Sequence, residues 1–196
     1  MQHHESQKLV LKIIAAGFAI SFFLNILALF FPVDMSQNPP HYSRTTLILQ
    51  SLATSLIIFS STIMGMKLTE EKRTLPSGGF AMYAIANGIG LVIFFEIRQF
   101  TTEEYEKIYD IYTSATALMV PAVLLLLSYN DIPRWLRFLP LLFIVSMIIP
   151  LMLYYSGYRE YNTMDEISFF GYMLMNFVHL LWGIFIWRQS ARIKSE

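Results

Sequence analysis

The chain has 196 residues, of which 55% are hydrophobic and 14% are charged, compared with about 25% charged residues in ordinary soluble domains. Its charges occur in short segments between long apolar runs, which excludes a water-soluble globular domain and predicts one membrane domain over residues 1–196. Because the sequence contains no cysteine, disulfides, thiolate metal sites and cysteine nucleophiles are also excluded.

Apolar runs bounded by charges or turn residues predict six transmembrane helices, since about 20 apolar residues cross roughly 30 Å of hydrocarbon. The predicted spans are residues 9–31, 45–66, 79–97, 111–129, 134–155 and 167–187. Ser43 is predicted to cap the second helix, and Thr101 with Glu104 predicts a capping box at the start of the fourth. Thr163 and Glu166 predict a similar start for the sixth helix. The expected fold class is therefore all-α, a polytopic membrane helical bundle with six transmembrane helices.

Basic residues are distributed unevenly between the two predicted faces of the membrane. The termini and one set of loops carry ten of the fourteen, and the other loops carry the remaining four, namely Arg44, Arg98, Lys107 and Arg159. Because basic residues are retained on the cytoplasmic side, the bias predicts that both termini are cytoplasmic. The expected location is a plasma membrane or an inner membrane.

The first candidate site lies inside the bundle and is centred on His179. An ionisable ring within a membrane span is costly in lipid, and such a residue indicates a functional site. Asn176 shares its helix face because it lies three residues earlier, and Asn87 is predicted at a similar depth in the third span. Gln50 and Thr54 add polar groups from the second span. These five residues predict a cavity that holds a small ligand or relays a proton, since a neutral imidazole has one donor and one acceptor nitrogen.

The second candidate site is on the predicted outer face, near the start of the fourth helix. Its aromatic and acidic members are Tyr105, Tyr109 and Tyr112, with Glu106 and Asp110 beside them. Aromatic faces next to carboxylates attract organic cations, which predicts an external cationic ligand or a partner protein. Glu96, at the end of the third span, is a further candidate because apolar neighbours keep it partly dry.

Both candidate sites have a purely structural alternative. Interhelical hydrogen bonds of Asn, Ser and Thr hold membrane bundles together and contribute about 0.6 to 2 kcal/mol each. Tyrosines at a membrane boundary form an interfacial belt, and acids at a helix start complement the helix dipole.

Several catalytic classes are disfavoured by what the sequence lacks. It has four histidines, three of them outside the spans, so a bis-histidine haem, a di-iron centre and a buried zinc site are not expected. No glycine-rich phosphate loop and no serine hydrolase elbow occurs. We therefore expect no metal, no cofactor and no nucleic-acid partner.

Three functions remain open. The first is an integral membrane protein that binds a small molecule within the bundle, as a transporter component or a sensor. The second is an accessory or structural subunit of a larger complex, in contact with lipid and with another membrane protein or a second copy of the chain. The third, which is the least expected, is a membrane enzyme that acts on a lipid with His179 as the base.

Overall fold

A computed structural model describes residues 2–31, 33–34, 36, 41–96 and 101–192, without the side chains of 2–4, 96, 102 and 105. Over these ranges the chain forms six long helices, which are α1 (Gln2–Ala28), α2 (Arg44–Glu70), α3 (Thr74–Glu96), α4 (Thr102–Leu126), α5 (Arg134–Tyr155) and α6 (Tyr161–Arg192). Each is long and apolar enough to cross a membrane. The predicted fold class is confirmed, and the chain is an integral membrane protein.

Two helices begin where side-chain caps are predicted. The Ser43 hydroxyl accepts a hydrogen bond from the backbone N–H of Thr46 at 3.1 Å, at the start of α2. The Thr101 hydroxyl accepts one from the backbone N–H of Glu104 at 3.3 Å, at the start of α4. Both caps are confirmed, because each satisfies a backbone donor that has no partner within its own helix.

Two other helices begin earlier than the apolar runs indicate. α3 starts at Thr74 and includes Pro76 in its first turn, where a missing N–H removes no intrahelical hydrogen bond. α6 starts at Tyr161, so the predicted cap at Thr163 is wrong. The ring of Tyr161 is 2% exposed and lies 6.0 Å from that of Tyr109, measured between centroids. This contact extends α6 beyond its predicted start.

The six helices pack in chain order around a ring, and α6 closes the ring by packing against α1. Small residues allow close approach at the seams between helices. A Cβ atom added to Gly183 of α6 would lie 2.9 Å from the carbonyl oxygen of Ala15 in α1. One added to Gly171 would lie 1.5 Å from the hydroxyl of Ser146 in α5. Such small-residue contacts are typical of helix packing in membranes.

The ring has two ends, which we call the terminal end and the opposite end. The terminal end contains the starts of α1, α3 and α5 and the ends of α2, α4 and α6. Here Arg73 pairs with Asp131 at 2.5 Å, and the side chain of Gln189 donates to the carbonyl oxygen of Asp131 at 3.1 Å. At the opposite end, the hydroxyl of Tyr42 donates to the carboxylate of Asp165 at 2.9 Å.

A short antiparallel hairpin lies at the opposite end, in the connection between α1 and α2. Its strands are β1 (Val33–Asp34) and β2 (His41–Tyr42), with Val33 opposite Tyr42. No strand is predicted here, because the segment falls between the first two predicted spans. The hairpin places Tyr42 over the start of α6, where it meets Asp165.

Aromatic side chains fill the centre of the ring in its terminal half. Phe18, Phe80, Tyr83 and Trp182 are each 2% exposed or less. The ring of Trp182 meets the other three edge to face, with centroid distances of 5.5 to 6.0 Å. Edge-to-face packing of this kind adds to the stability gained by burial. The described side chains at the centre of the terminal half therefore form a packed core.

Candidate functional site

A partly open cavity of about 240 Å³ lies between the aromatic core and the opposite end of the ring. Five helices, α2 to α6, and strand β2 contribute to its wall. Its aromatic lining residues are Tyr42, Phe94, Tyr109, Tyr112, Phe143, Phe169 and Tyr172, and its polar ones are Gln50, Thr54, Asn87, Asp165 and Ser168. A mainly apolar wall with a few polar groups is the usual composition of a small-molecule site.

Three of the residues predicted for the bundle interior meet at this cavity. Gln50 and Thr54 lie one turn apart on α2, and Asn87 lies on the neighbouring α3. The amide of Asn87 donates to the carbonyl oxygen of Tyr83, one turn earlier on α3, at 2.8 Å. This bond fixes the orientation of the Asn87 side chain at the wall. The second and third helices thus supply one polar side of the cavity.

His179 lies deeper, inside the aromatic core, and is not among the described residues that line the cavity. Its ring is 2% exposed and stacks on that of Phe18, with 5.5 Å between centroids and 8° between planes. Its Nε2 atom lies 2.6 Å from the hydroxyl oxygen of Tyr83. Its Nδ1 atom and the Nε1 atom of Trp182 make no hydrogen bond within the described ranges. The histidine is therefore packed within the core next to the cavity.

A buried chain of amides connects the cavity wall to α1. The hydroxyl of Tyr172, which lines the cavity, donates to the side-chain oxygen of Asn25 at 2.7 Å. The side-chain nitrogen of Asn25 donates to the side-chain oxygen of Asn176 at 2.6 Å. Asn176 is not among the described lining residues, but its side chain also interacts with the hydroxyl of Tyr172, so it lies directly behind the cavity wall. Asn25 is not among the predicted site residues, although a single amide in the apolar first span is the signal that identifies it.

The predicted external site is divided by the structure. Tyr109 and Tyr112 line the cavity, whereas Glu106 and Asp110 are exposed and lie outside its lining. The ring of Tyr109 stacks on that of Tyr154, with 4.6 Å between centroids. The side chains of the two remaining predicted members lie outside the described residues, namely Glu96 and Tyr105. The tyrosines therefore belong to the same site as Gln50, Thr54 and Asn87.

Asp165 supplies a carboxylate to the cavity, although it is not among the predicted site residues. Asp165, Ser168, Phe169 and Tyr172 recur at helical spacing on one face of α6, and all four line the cavity. This helical spacing is the feature of the sequence that could have identified Asp165 as a site residue. Burial and the charge of Asp165 both raise the pKa of Tyr42 above its ordinary value, so the phenol stays protonated and donates to the carboxylate.

Comparison with known proteins does not assign the chain to a family. The chain matches no protein-family model, no curated protein and no solved structure. The function must therefore be argued from the site itself.

The polar groups of the cavity are hydrogen-bonding groups. Within the described ranges, no three His, Asp or Glu side chains come together as ligands for a metal ion. Among the described residues, the polar groups at the wall are amides, hydroxyls and one carboxylate, which are suited to orienting a ligand.

Proposed function

We propose that this membrane protein binds a small molecule in the cavity and acts as a transporter component or a sensor. The observation that carries the proposal is a cavity of about 240 Å³ with an aromatic wall and polar groups from α2, α3 and α6. This volume is below the usual range of about 300 to 1,000 Å³ for drug-sized ligands. The ligand is therefore a compact molecule with an apolar body and at least one polar group.

The ligand enters from the opposite end of the ring. Tyr42 and Asp165 border the cavity there, whereas the terminal side is filled by the core around Trp182. The excess of lysine and arginine at the terminal end supports a cytoplasmic location for both termini. The cavity mouth then faces the exterior or the periplasm, where a transporter or a sensor meets its ligand.

The burial of His179 gives no support to the lipid-enzyme alternative. A general base must approach within hydrogen-bond distance of the proton that it removes. The His179 ring is 2% exposed, and aromatic side chains surround it, so a lipid substrate has no access to its nitrogens.

A side chain that fills the cavity tests the proposal. Gly90 lines the cavity, and a Cβ atom added there meets nothing within 4 Å, so Gly90→Phe places a ring in open space. Gly88→Phe is a matched control, because Gly88 has the same open surroundings but is not among the described lining residues. The measurement is the unfolding midpoint of purified protein in detergent with a library of small neutral, cationic and anionic compounds.

We expect compounds that raise the midpoint of the wild-type protein and of Gly88→Phe but leave that of Gly90→Phe unchanged. If no compound stabilises the wild type, or if both variants respond alike, the cavity is not the binding site. Co-purification of a stable membrane partner without any ligand response would instead favour the accessory-subunit alternative.

A further inference from the structure

The basic side chains at the terminal end differ in whether the protein itself pairs them with an acid. On the side of α2 and α3, Arg73 forms an ion pair with Asp131 at 2.5 Å. Lys8 and Lys12 of α1 and Arg188 of α6 form no ion pair with any described residue. Where α1 begins and α6 ends, three positive charges are therefore left without a described carboxylate partner.

Aromatic contacts place these charges along the seam between α1 and α6. The Nζ atom of Lys12 lies 5.5 Å from the centre of the Trp187 ring, and this ring is 49% exposed. Lys8 lies one turn before Lys12 on the same face of α1. The guanidinium carbon of Arg188 lies 5.8 Å from the centre of the Phe185 ring, so this side chain folds back along α6. We call Lys8, Lys12, Trp187 and Arg188 the basic seam.

Lys12 lies at the depth where protein meets lipid headgroups. It belongs to the apolar part of α1 and is only partly exposed. A lysine at such a position extends its apolar stem so that the ammonium group reaches the headgroup layer. Tryptophan is enriched at the same level, which agrees with the position of Trp187 opposite Lys12. The anionic group that a membrane offers there is a lipid phosphate.

We propose that the basic seam binds the headgroup phosphate of an anionic phospholipid. The acyl chains of this lipid lie along the outer surfaces of the same two helices, where four large apolar side chains are exposed, namely Ile20, Phe23, Phe177 and Ile184. The inference is independent of the cavity, which α1 does not line with any described residue.

The balance of charge at the seam favours an anionic lipid over a zwitterionic one. Glu5 is the described acid of α1, and it forms no ion pair with Lys8 or Lys12. With Arg188 included, the three basic side chains outnumber this acid, so the seam keeps a net positive charge. Phosphatidylglycerol carries one net negative charge, whereas the ammonium group of phosphatidylcholine opposes the attraction of its phosphate.

The contact between Lys12 and Trp187 leaves the ammonium group able to bind a phosphate. An ammonium group has three N–H donors, and a ring face occupies only one side of it. Hydrogen bonds between a charged donor and a phosphate are stronger than neutral ones. Lys12 is therefore the residue of the seam that we expect to contribute most to the preference for an anionic lipid.

Tryptophan fluorescence reports on this site directly. The chain has three tryptophans, of which Trp182 is buried and Trp135, at the start of α5, is exposed. Trp135→Phe therefore leaves Trp187 as the exposed fluorophore. Quenching by phosphatidylglycerol with brominated acyl chains is compared with quenching by brominated phosphatidylcholine, in vesicles that mix the two lipids. The ratio gives the relative binding constant of the two lipids at Trp187.

We expect phosphatidylglycerol to bind at Trp187 about fivefold or more tightly than phosphatidylcholine, the ratio that one basic residue near an anionic headgroup supplies. In the same Trp135→Phe background, Lys12→Gln should reduce this preference to less than about twofold. Lys72→Gln is the matched control, because Lys72 is exposed at the same end of the ring but lies on the turn between α2 and α3. It removes one positive charge and should leave the preference unchanged.

Three results would overturn the lipid site. Equal quenching by the two lipids would mean that the seam meets only ordinary surrounding lipid. Quenching by neither lipid would mean that a second copy of the chain or another protein covers the seam. Equal effects of Lys12→Gln and Lys72→Gln would mean that the overall charge of the terminal end, and not the seam, selects the lipid. Because the comparison of the two lipids keeps all lysines, it remains decisive even if Lys12→Gln fails to fold.

Discussion

Tyr83 of α3 and His179 of α6 form a hydrogen bond of 2.6 Å between the phenol oxygen and the Nε2 atom of the imidazole. The two helices are not neighbours in the ring, so this bond crosses its centre. It lies in the aromatic core directly below the cavity, beside Phe18 and Trp182. The core thus lies next to the proposed ligand site, although none of these four side chains is among the described lining residues.

Replacing Tyr83 with phenylalanine tests the contribution of this bond. Tyr83→Phe keeps the ring but leaves the Nε2 atom of His179 without its partner in the core. We expect the free energy of unfolding to fall by about 1 to 3 kcal/mol, the usual cost of an unsatisfied buried polar group. Unfolding of the purified protein in mixed detergent micelles measures the change.

The double variant Tyr83→Phe with His179→Phe is the control for that measurement. Once the imidazole is absent, the loss of the phenol hydroxyl should cost much less. Ligand affinity should stay nearly constant, because neither side chain is among the described lining residues. A large loss of affinity with unchanged stability would place His179 in the binding site.

Gly171 is expected to be the least replaceable residue on the seam between α5 and α6. A Cβ atom there would lie 2.4 Å from the Cβ atom of Ser146, a clash that no rotation of the serine relieves. Gly171→Ala should therefore force the helices apart and lower the free energy of unfolding by about 1 to 3 kcal/mol. Gly88→Ala, whose new methyl group meets nothing within 4 Å, should have no such cost.

Removing the serine side chain should restore the packing at this seam. Adding Ser146→Gly to Gly171→Ala returns one glycine to the contact and should recover most of the lost stability. If the double variant loses as much free energy of unfolding as the two single variants lose together, the two side chains do not meet.

The turn between α2 and α3 contains a residue whose backbone conformation suits glycine better. Lys72 has φ of 60°, and the N–H of Arg73 donates to the carbonyl oxygen of Leu68 at 2.8 Å, as in a Schellman motif. Because left-handed backbone costs an L-residue about 1 to 2 kcal/mol, Lys72→Gly should stabilise the protein by about 0.5 to 1 kcal/mol. Lys72→Ala removes the same charge but keeps the Cβ atom, so an equal gain from alanine would contradict the backbone explanation.

The number of helices, the fold class and two helix caps were predictable because each depends on residues that are close together in the sequence. Hydropathy identifies segments that lipid can solvate, and the hydroxyls of Ser43 and Thr101 satisfy nearby backbone donors. The early start of α6 was not predictable, because it depends on the distant contact between Tyr161 and Tyr109. The pattern of neighbouring residues does not indicate a contact between two residues that are so far apart in the sequence.

The position of the site was only partly predictable, since depth in the membrane does not determine which residues meet. Asn87 and His179 are predicted to lie at a similar depth and to belong to one site. In the structure, Asn87 lines the cavity, whereas Tyr83, one turn earlier on α3, is the residue that contacts His179. The order of the six helices around the ring and a bond across its centre arise from packing, and the hydropathy and spacing of one sequence give no signal for either.

The absence of cysteine makes the chain a ready background for testing its orientation in the membrane. Glu70 at the terminal end and Glu160 at the opposite end are both exposed, so Glu70→Cys and Glu160→Cys are a matched pair. With both termini in the cytoplasm, a membrane-impermeant maleimide should label Glu160→Cys on intact cells and Glu70→Cys only after permeabilisation. The reverse pattern would place the cavity mouth on the cytoplasmic side, and the ligand would then be an intracellular one. Equal labelling of both variants in permeabilised cells controls for accessibility, because it shows that the two thiols react alike once the barrier is removed.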